Sequence, residues 1–204
     1  MPDWSQLVSD KSIQKTVAAL AVNGIQAIVV DTGERAKAKT LEMLPPGVEV
    51  MAMSSVTLET TGITAAVNQS GNFASVKSKL TTMDRATQER QMQQLGAAPE
   101  YAIGSVHAVT ESGQVVIASN TGSQLPAYVY GAGHVIWVVG TQKIVPDLDT
   151  AFRRIYDYIL PLESDRVQKA YGLPGSNVSK ILIINKEVRP SRLTLILVKQ
   201  QLGF

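Results

Sequence analysis

Four short polar segments carry most of the residues able to do chemistry. They are Ser54-Ser55-Val56-Thr57, Thr110-Glu111-Ser112-Gly113, Asn120-Thr121-Gly122-Ser123-Gln124 and Gly140-Thr141-Gln142-Lys143. Each combines hydroxyls, amides or small residues that let backbone N–H groups approach an anion. Glu111 stands in a turn beside glycine, where a rigid hairpin can fix an exposed carboxylate for nucleophilic or general-base work. Glu111-Ser112-Gly113-Gln114 is also good hairpin chemistry and needs no ligand. Ser54, Ser55 and Thr57 precede helix-compatible sequence, so they either cradle a phosphate or carboxylate or act as a cap. Lys143 either neutralises an anionic substrate or ends a strand in solvent. Asp31 closes an apolar run and joins the candidates at the strand ends.

Other chemistries find no support. The segments contain neither a Walker motif nor a G-x-G-x-x-G fingerprint, and no G-x-S-x-G elbow occurs in the chain. His107 and His134 are isolated from one another and from carboxylates, so no metal site is expected. With no cysteine in the chain, disulfides, thiolate nucleophiles and iron–sulfur ligation are excluded, and no cofactor is expected. Tyr128, Tyr130 and Trp137 are expected in the core or at an interface.

The elements that must position these residues alternate between strand and helix. Ser9 or Asp10 caps a first helix whose Ile13, Val17 and Leu20 share a face, and Gly24 stops it. Residues 25–31 form an apolar run suited to a strand covered on both faces. A helix over 33–44, stopped by Pro45-Pro46-Gly47, leads to a strand over 48–53, and this order demands a parallel crossover. Residues 64–100 turn polar and form a helical insertion or lid-like segment, with an exposed, Gln-rich helix over about 83–95. Residues 101–109 and 115–118 read as two strands of a hairpin. A short helix over 126–130, a strand over 134–139 and a helix capped by Asp147 follow, with Leu148, Phe152, Ile155 and Ile159 on one face. Pro161 is expected to end or kink that helix. Residues 180–184 and 193–198 are two further strands. The sum is an α/β domain over 1–204, with a mostly parallel sheet flanked by helices and an embedded hairpin. In such sheets ligands gather beyond the carboxyl ends of the strands, where the four polar segments fall.

Composition agrees with a folded domain. The 204 residues are 45% hydrophobic and 18% charged, with a net charge of +2. Before Lys143 there are 9 Lys/Arg against 11 Asp/Glu, and from Lys143 onward 10 against 6. That mild asymmetry predicts neither a nucleic-acid partner nor a membrane surface. No run reaches the roughly 18 apolar residues of a membrane span, and residues 1–5 are polar, without a secretory pattern. A cytoplasmic protein is expected. Asn177-Val178-Ser179 fits the glycosylation pattern, but without a secretory route it reads as chance.

The order of several motifs resembles the LUD (lactate utilisation) domain family. Thr110-Glu111-Ser112-Gly113 is followed by Gly140-Thr141-Gln142-Lys143-Ile144-Val145 and Asp147-Leu148-Asp149. Arg192-Leu193-Thr194-Leu195-Ile196-Leu197-Val198 and Leu202-Gly203-Phe204 close the chain, and Ser55-Val56-Thr57-Leu58 matches another family segment. The resemblance implies a fold similar to the ribose-5-phosphate isomerase, glucosamine-6-phosphate deaminase and CoA-transferase group. It implies a part in converting L-lactate to pyruvate, alongside partners that carry iron–sulfur clusters. Longer members hold such clusters in cysteine motifs; this chain is similar to the short, cysteine-free kind. In CoA-transferases a glutamate in a Ser-Glu-Asn-Gly-type turn attacks an acyl thioester. Here Glu111 is retained while Ser112 replaces Asn. Gln124 stands where the family usually has Arg, and Gln142 where Asn is common.

Three functions follow as expectations. The first is an organic-acid protein that binds a small anionic metabolite, with Glu111 as acid/base or nucleophile. Its binding residues would be Ser55, Thr57, Thr110, Gly113, Asn120, Gly122, Ser123, Gln124 and Lys143. The second is a non-catalytic accessory or regulatory subunit that docks a redox partner. The third is a CoA or acyl transferase with Glu111 as nucleophile. Whether the chain is an enzyme, and whether it forms a homo-oligomer, stay open on the residues alone.

Overall fold

A computed structural model describes residues 2–204. Among them, six strands form a wholly parallel sheet in the order β1-β10-β7-β4-β2-β3. These are β1 (Gln26–Val30), β2 (Glu49–Ala52), β3 (Ala74–Ser75), β4 (Tyr101–Gly104), β7 (His134–Gly140) and β10 (Leu193–Val198). A second sheet has the order β8-β5-β6-β9. It contains β5 (Ala108–Thr110), β6 (Val115–Ser119), β8 (Ile144–Val145) and β9 (Lys180–Ile184). The expected hairpin is β5–β6, paired antiparallel, and β9 adds antiparallel on its far side. The hairpin therefore belongs to this small sheet and is not embedded in the parallel one.

Side-chain alternation along the strands sorts the core into layers. One face of the large sheet (Ile103, Ile136, Val138, Ile196, Val198) packs on Ala36 of α2 (Gly33–Glu42), Leu58 of α3 (Val56–Thr60), and Ile63 and Val67 of α4 (Ile63–Asn68). The other face (Val135, Trp137, Val139, Leu195, Leu197) packs on Ile13 and Leu20 of α1 (Asp10–Val22). It also meets Val109, Val115, Ile117 and Ile144 of the small sheet. The small sheet's outer residues Ala108, Val116 and Ala118 pack on Ala151 of α7 (Leu148–Arg154), and on Ile155 and Ile159. Local capping agrees with this plan. The Ser9 hydroxyl accepts from the Ser12 N–H and starts α1, and the Asp147 carboxylate accepts from the Thr150 N–H and starts α7.

Two expected elements change. The run 101–109 is not one strand: it breaks after Gly104, crosses between the sheets through Ser105-Val106-His107, and resumes as β5. A Cβ at Gly104 would fall 1.8 Å from the Tyr128 hydroxyl, so the closeness of that ring demands glycine there. Of the two outcomes expected at Pro161, an end or a kink, the first does not occur: the helix does not end there. A wide turn over Ile155–Ile159 follows α7 and absorbs one extra residue per turn. Pro161 follows this wide turn directly, at the start of α8 (Leu160–Tyr171), so its missing N–H falls where the hydrogen-bond ladder has already changed register.

The polar segment 64–100 contains α4, β3 at the edge of the large sheet, α5 (Val76–Thr81) and α6 (Arg85–Ala97). No residue of α6 is buried, as its Gln-rich sequence foretells. Among the described residues no helix is long and apolar enough to cross a membrane, and no cluster of three or more His, Asp or Glu is placed to hold a metal.

Candidate functional site

The large sheet passes its chain to the small one at two neighbouring places. After β4, Ser105-Val106-His107 leads to β5. After β7, the tight turn Thr141-Gln142-Lys143 leads to β8, which pairs parallel with β5. A cleft of about 340 Å³ opens at this double crossing, beyond the carboxyl ends of β2, β4 and β7 and of β6 in the small sheet. Ser55, Thr57, Ser105, His107, Asn120 and Lys143 all contribute to its walls. Its volume lies at the small end of ligand pockets, which run about 300–1,000 Å³.

Lys143 lies in the wall of this cleft. Only 2% of it is exposed. Its Nζ donates to the Ser105 hydroxyl at 3.1 Å, the Val106 carbonyl at 3.2 Å and the Thr57 hydroxyl at 3.3 Å. Thr57 in turn donates to the Leu202 carbonyl, which also accepts from the Gln142 side chain at 3.0 Å. Gly203, in the left-handed region at φ +62°, lays the last turn against Thr57.

Arg154 stands behind the same wall, fully buried at the end of α7. Its Nη1 donates to the His107 carbonyl at 3.0 Å, and its guanidinium carbon lies 5.3 Å from the centre of the Tyr158 ring. Its Nε and Nη2 have no hydrogen-bond partner among the described residues.

Neither cation has a carboxylate within ion-pair distance among the described residues. Burial first, and then the Arg154 charge, bring the Lys143 ammonium down to about 7. Burial also brings Arg154 down to about 10. Burial, Lys143 and Arg154 push His107 down to about 3, so its ring is neutral at ordinary pH and Nδ1 accepts from the Ala118 N–H at 3.1 Å. A buried cation normally sits beside a carboxylate, because desolvation is costly. Lys143 and Arg154 have none: Glu59 and Glu163, the carboxylates of the cleft lining, lie outside ion-pair distance of both.

The expected site residues divide into two groups. Ser55, Thr57, Asn120, Ser123, Gln124 and Lys143 line the cleft. Gly122 lies in the same loop at φ +86°, where its N–H donates to the Ser119 hydroxyl and shapes the turn. Ser119 also donates to Gln124 at 3.0 Å.

Thr110, Glu111 and Gly113 lie elsewhere. Glu111 does not point into the common pocket: its carboxylate accepts from the Lys15 ammonium at 2.7 Å and the Ser12 hydroxyl at 2.6 Å, both on α1. A Cβ at Gly113 would come within 2.8 Å of α1, and Asn23 at the end of that helix donates to the Ser112 and Gly113 carbonyls. Thr110 is buried, and its hydroxyl accepts from the Gln114 N–H inside the turn. The β5–β6 turn is therefore spent on packing against α1.

Two contributors, Ser105 and Arg154, went unnoticed in the sequence, and a third, His107, was weighed only as a metal ligand. Ser105 and His107 were hidden inside a presumed continuous strand. Arg154 carried one usable signal: it falls three residues after Ala151 and beside Ile155, on the buried stripe of α7. Tyr128, expected in the core or at an interface, is buried edge-to-face on Trp137 (ring centres 5.3 Å, 80°) and also lines the cleft.

The sequence profile of the LUD domain matches residues 13–198. Among solved structures, the chain is similar to a duf162 family protein from Deinococcus radiodurans at 12% identity. That match covers 95% of this chain and 99% of the other, with a TM-score of 0.57, and bears on the fold. No curated protein matches the chain. The match over nearly the whole α/β core, with the fold that accompanies it, makes this chain a member of the LUD domain family.

Proposed function

We propose that this protein binds a small organic acid in the cleft around Lys143, in metabolism of the L-lactate-to-pyruvate type that its family suggests. One observation carries the reading: Lys143, in the cleft wall, and Arg154, which donates to the next carbonyl along from the one Lys143 binds, are both buried with no carboxylate within ion-pair distance among the described residues, so Lys143 lacks a counter-charge. A substrate carboxylate would supply it. The hydroxyls of Thr57 and Ser105 and the amide of Asn120 add neutral hydrogen-bonding groups around that charge. The cleft suits an acid of a few carbons rather than a whole coenzyme A, and Glu111 lies outside it; both weigh against acyl transfer through that carboxylate.

The test is calorimetric titration and thermal shift with lactate, pyruvate, acetate and inorganic phosphate on the wild type and on Lys143→Met. A bound ligand raises the apparent melting temperature with its concentration. Lactate or pyruvate should stabilise the wild type and not the variant. Equal binding by both proteins would overturn the reading.

A further inference from the structure

We propose that the Lys143 amine is a nucleophile that condenses with the carbonyl of a small 2-oxo acid to form an imine. This rests on the anion-binding cleft argued above and names the substrate class that would react there. A nucleophilic lysine needs access to its substrate, a free lone pair and neighbours that move protons. Lys143 borders the cleft directly. No carboxylate among the described residues holds it as an ammonium. Desolvation beside a second cation, here Arg154, is a recognised way to free a lysine lone pair. The hydroxyls of Ser105 and Thr57, at 3.1 and 3.3 Å, are placed to relay protons.

The step balances without an oxidant. The nitrogen lone pair attacks the carbonyl carbon, a C–N bond forms, and the carbonyl π electrons move onto oxygen. Nitrogen loses a proton and the oxygen gains one, giving a carbinolamine. A further proton transfer from nitrogen to the hydroxyl releases water as the C=N bond forms. Amine and carbonyl become imine and water.

The other titratable groups around the amine are distinct in kind. His107 is neutral, and burial keeps the Tyr128 phenol protonated. Glu163 and Arg166 pair with one another, and Glu59 and Lys77 complete the cleft lining.

The experiment uses the wild-type chain, incubated at pH 7 with pyruvate or glyoxylate and sodium cyanoborohydride, then digested and mapped by mass spectrometry. The expected product is one reduced adduct on Lys143: pyruvate less one water plus two hydrogens, or the same for glyoxylate. It should form at least about tenfold faster than on exposed lysines such as Lys11 and Lys169, because more of the buried amine is unprotonated. Lys143→Arg should lose that adduct. No enrichment at Lys143 with either oxo acid overturns the proposal, and the wild-type map decides this even if the variant does not fold. Thermal shift without reductant separates the two readings. Stabilisation by lactate with no Lys143 adduct sinks the imine and keeps the anion cleft. A Lys143 adduct without any stabilisation by lactate, pyruvate or glyoxylate supports the nucleophile and removes the anion-binding reading.

Discussion

The Lys143 ammonium lies 3.3 Å from the Thr57 hydroxyl, although 86 residues separate them in the chain. Each follows a different strand of the large sheet, β7 and β2, which are not neighbours. Their meeting makes the cleft a product of topology rather than of any local motif.

The cost of burying Lys143 should be visible in the pH dependence of stability. Its folded value is lowered to about 7 against 10.5 for an ordinary lysine, so between those values the unfolded chain binds more protons. Stability therefore rises with pH across that window, by at most about 1.4 kcal/mol per pH unit. Urea denaturation at pH 7, 8 and 9 should reveal this slope in the wild type and its loss in Lys143→Met. At pH 7 the variant should equal the wild type or exceed it by up to about 2 kcal/mol. A wild type and variant with the same slope would show that Lys143 is not desolvated.

Ligand binding should draw in a proton above neutrality. An anion beside Lys143 favours its charged form, which raises a value now near 7. Calorimetry at pH 8 in buffers of different ionisation heat should report uptake of a fraction of a proton per bound acid. Zero uptake would place the anion away from Lys143.

Glu111→Gln should leave ligand affinity within twofold of the wild type, because its carboxylate faces α1. The Lys15 partner is 65% exposed, and exposed pairs of this kind contribute at most about 1 kcal/mol. The Lys15 ammonium, then the Ser12 hydroxyl, hold Glu111 below the usual carboxylate range. Its contribution is thus present above the ordinary glutamate value of 4.5 and fades as pH falls through the lowered one. Stability of wild type and variant should converge in acid. A large loss of affinity would return Glu111 to the site.

Gly203→Ala should destabilise the fold by about 1–3 kcal/mol. The position has φ +62°, and an added Cβ would stand 2.6 Å from the Thr57 hydroxyl oxygen. Since Thr57 also receives a bond from Lys143, the same change should weaken acid binding. A variant with unchanged stability and binding would mean that the last turn is not anchored on Thr57.

Arg192→Met should cost about 3–5 kcal/mol in a urea titration. Arg192 is buried, pairs with Glu187 at 2.7 Å, and donates to the carbonyls of Ala127, Tyr128 and Ala132. Removing it leaves those carbonyls and the largely buried Glu187 carboxylate without their donor, and frees the segment that holds Tyr128 against the cleft. A loss below about 1 kcal/mol would assign the segment's rigidity to other contacts.

Much of the large sheet was readable because its strands are apolar runs bounded by caps and glycines, as in β7 and β10. The loops carrying Thr57 and Lys143 were readable because parallel sheets gather ligands at one end, whereas Asn120 follows β6 of the small sheet, antiparallel to both its neighbours, and reaches the cleft through the packing of the two sheets. The rest depended on facts that a linear pattern does not carry. Ser105 and His107 sit where an apolar run changes sheets, and the need for glycine at 104 comes from a ring 24 positions away. Glu111 has the composition of a reactive turn, yet the pairing of that turn with α1 is a long-range event. Arg154 falls on the buried stripe of α7 with Ala151, but a charged residue on such a stripe is not read as core from its type, and Pro161 survives in helix because the wide turn at 155–159 precedes it.

The chain's two crossings from large sheet to small share more than a location. Because Ser105 and Lys143 each lie in one of them, an occupant of the cleft would rivet the two layers together. Amide hydrogens of β5, β6 and β8 should then exchange more slowly in step with those of β4 and β7, adding a polar tie to the apolar core the two sheets already share.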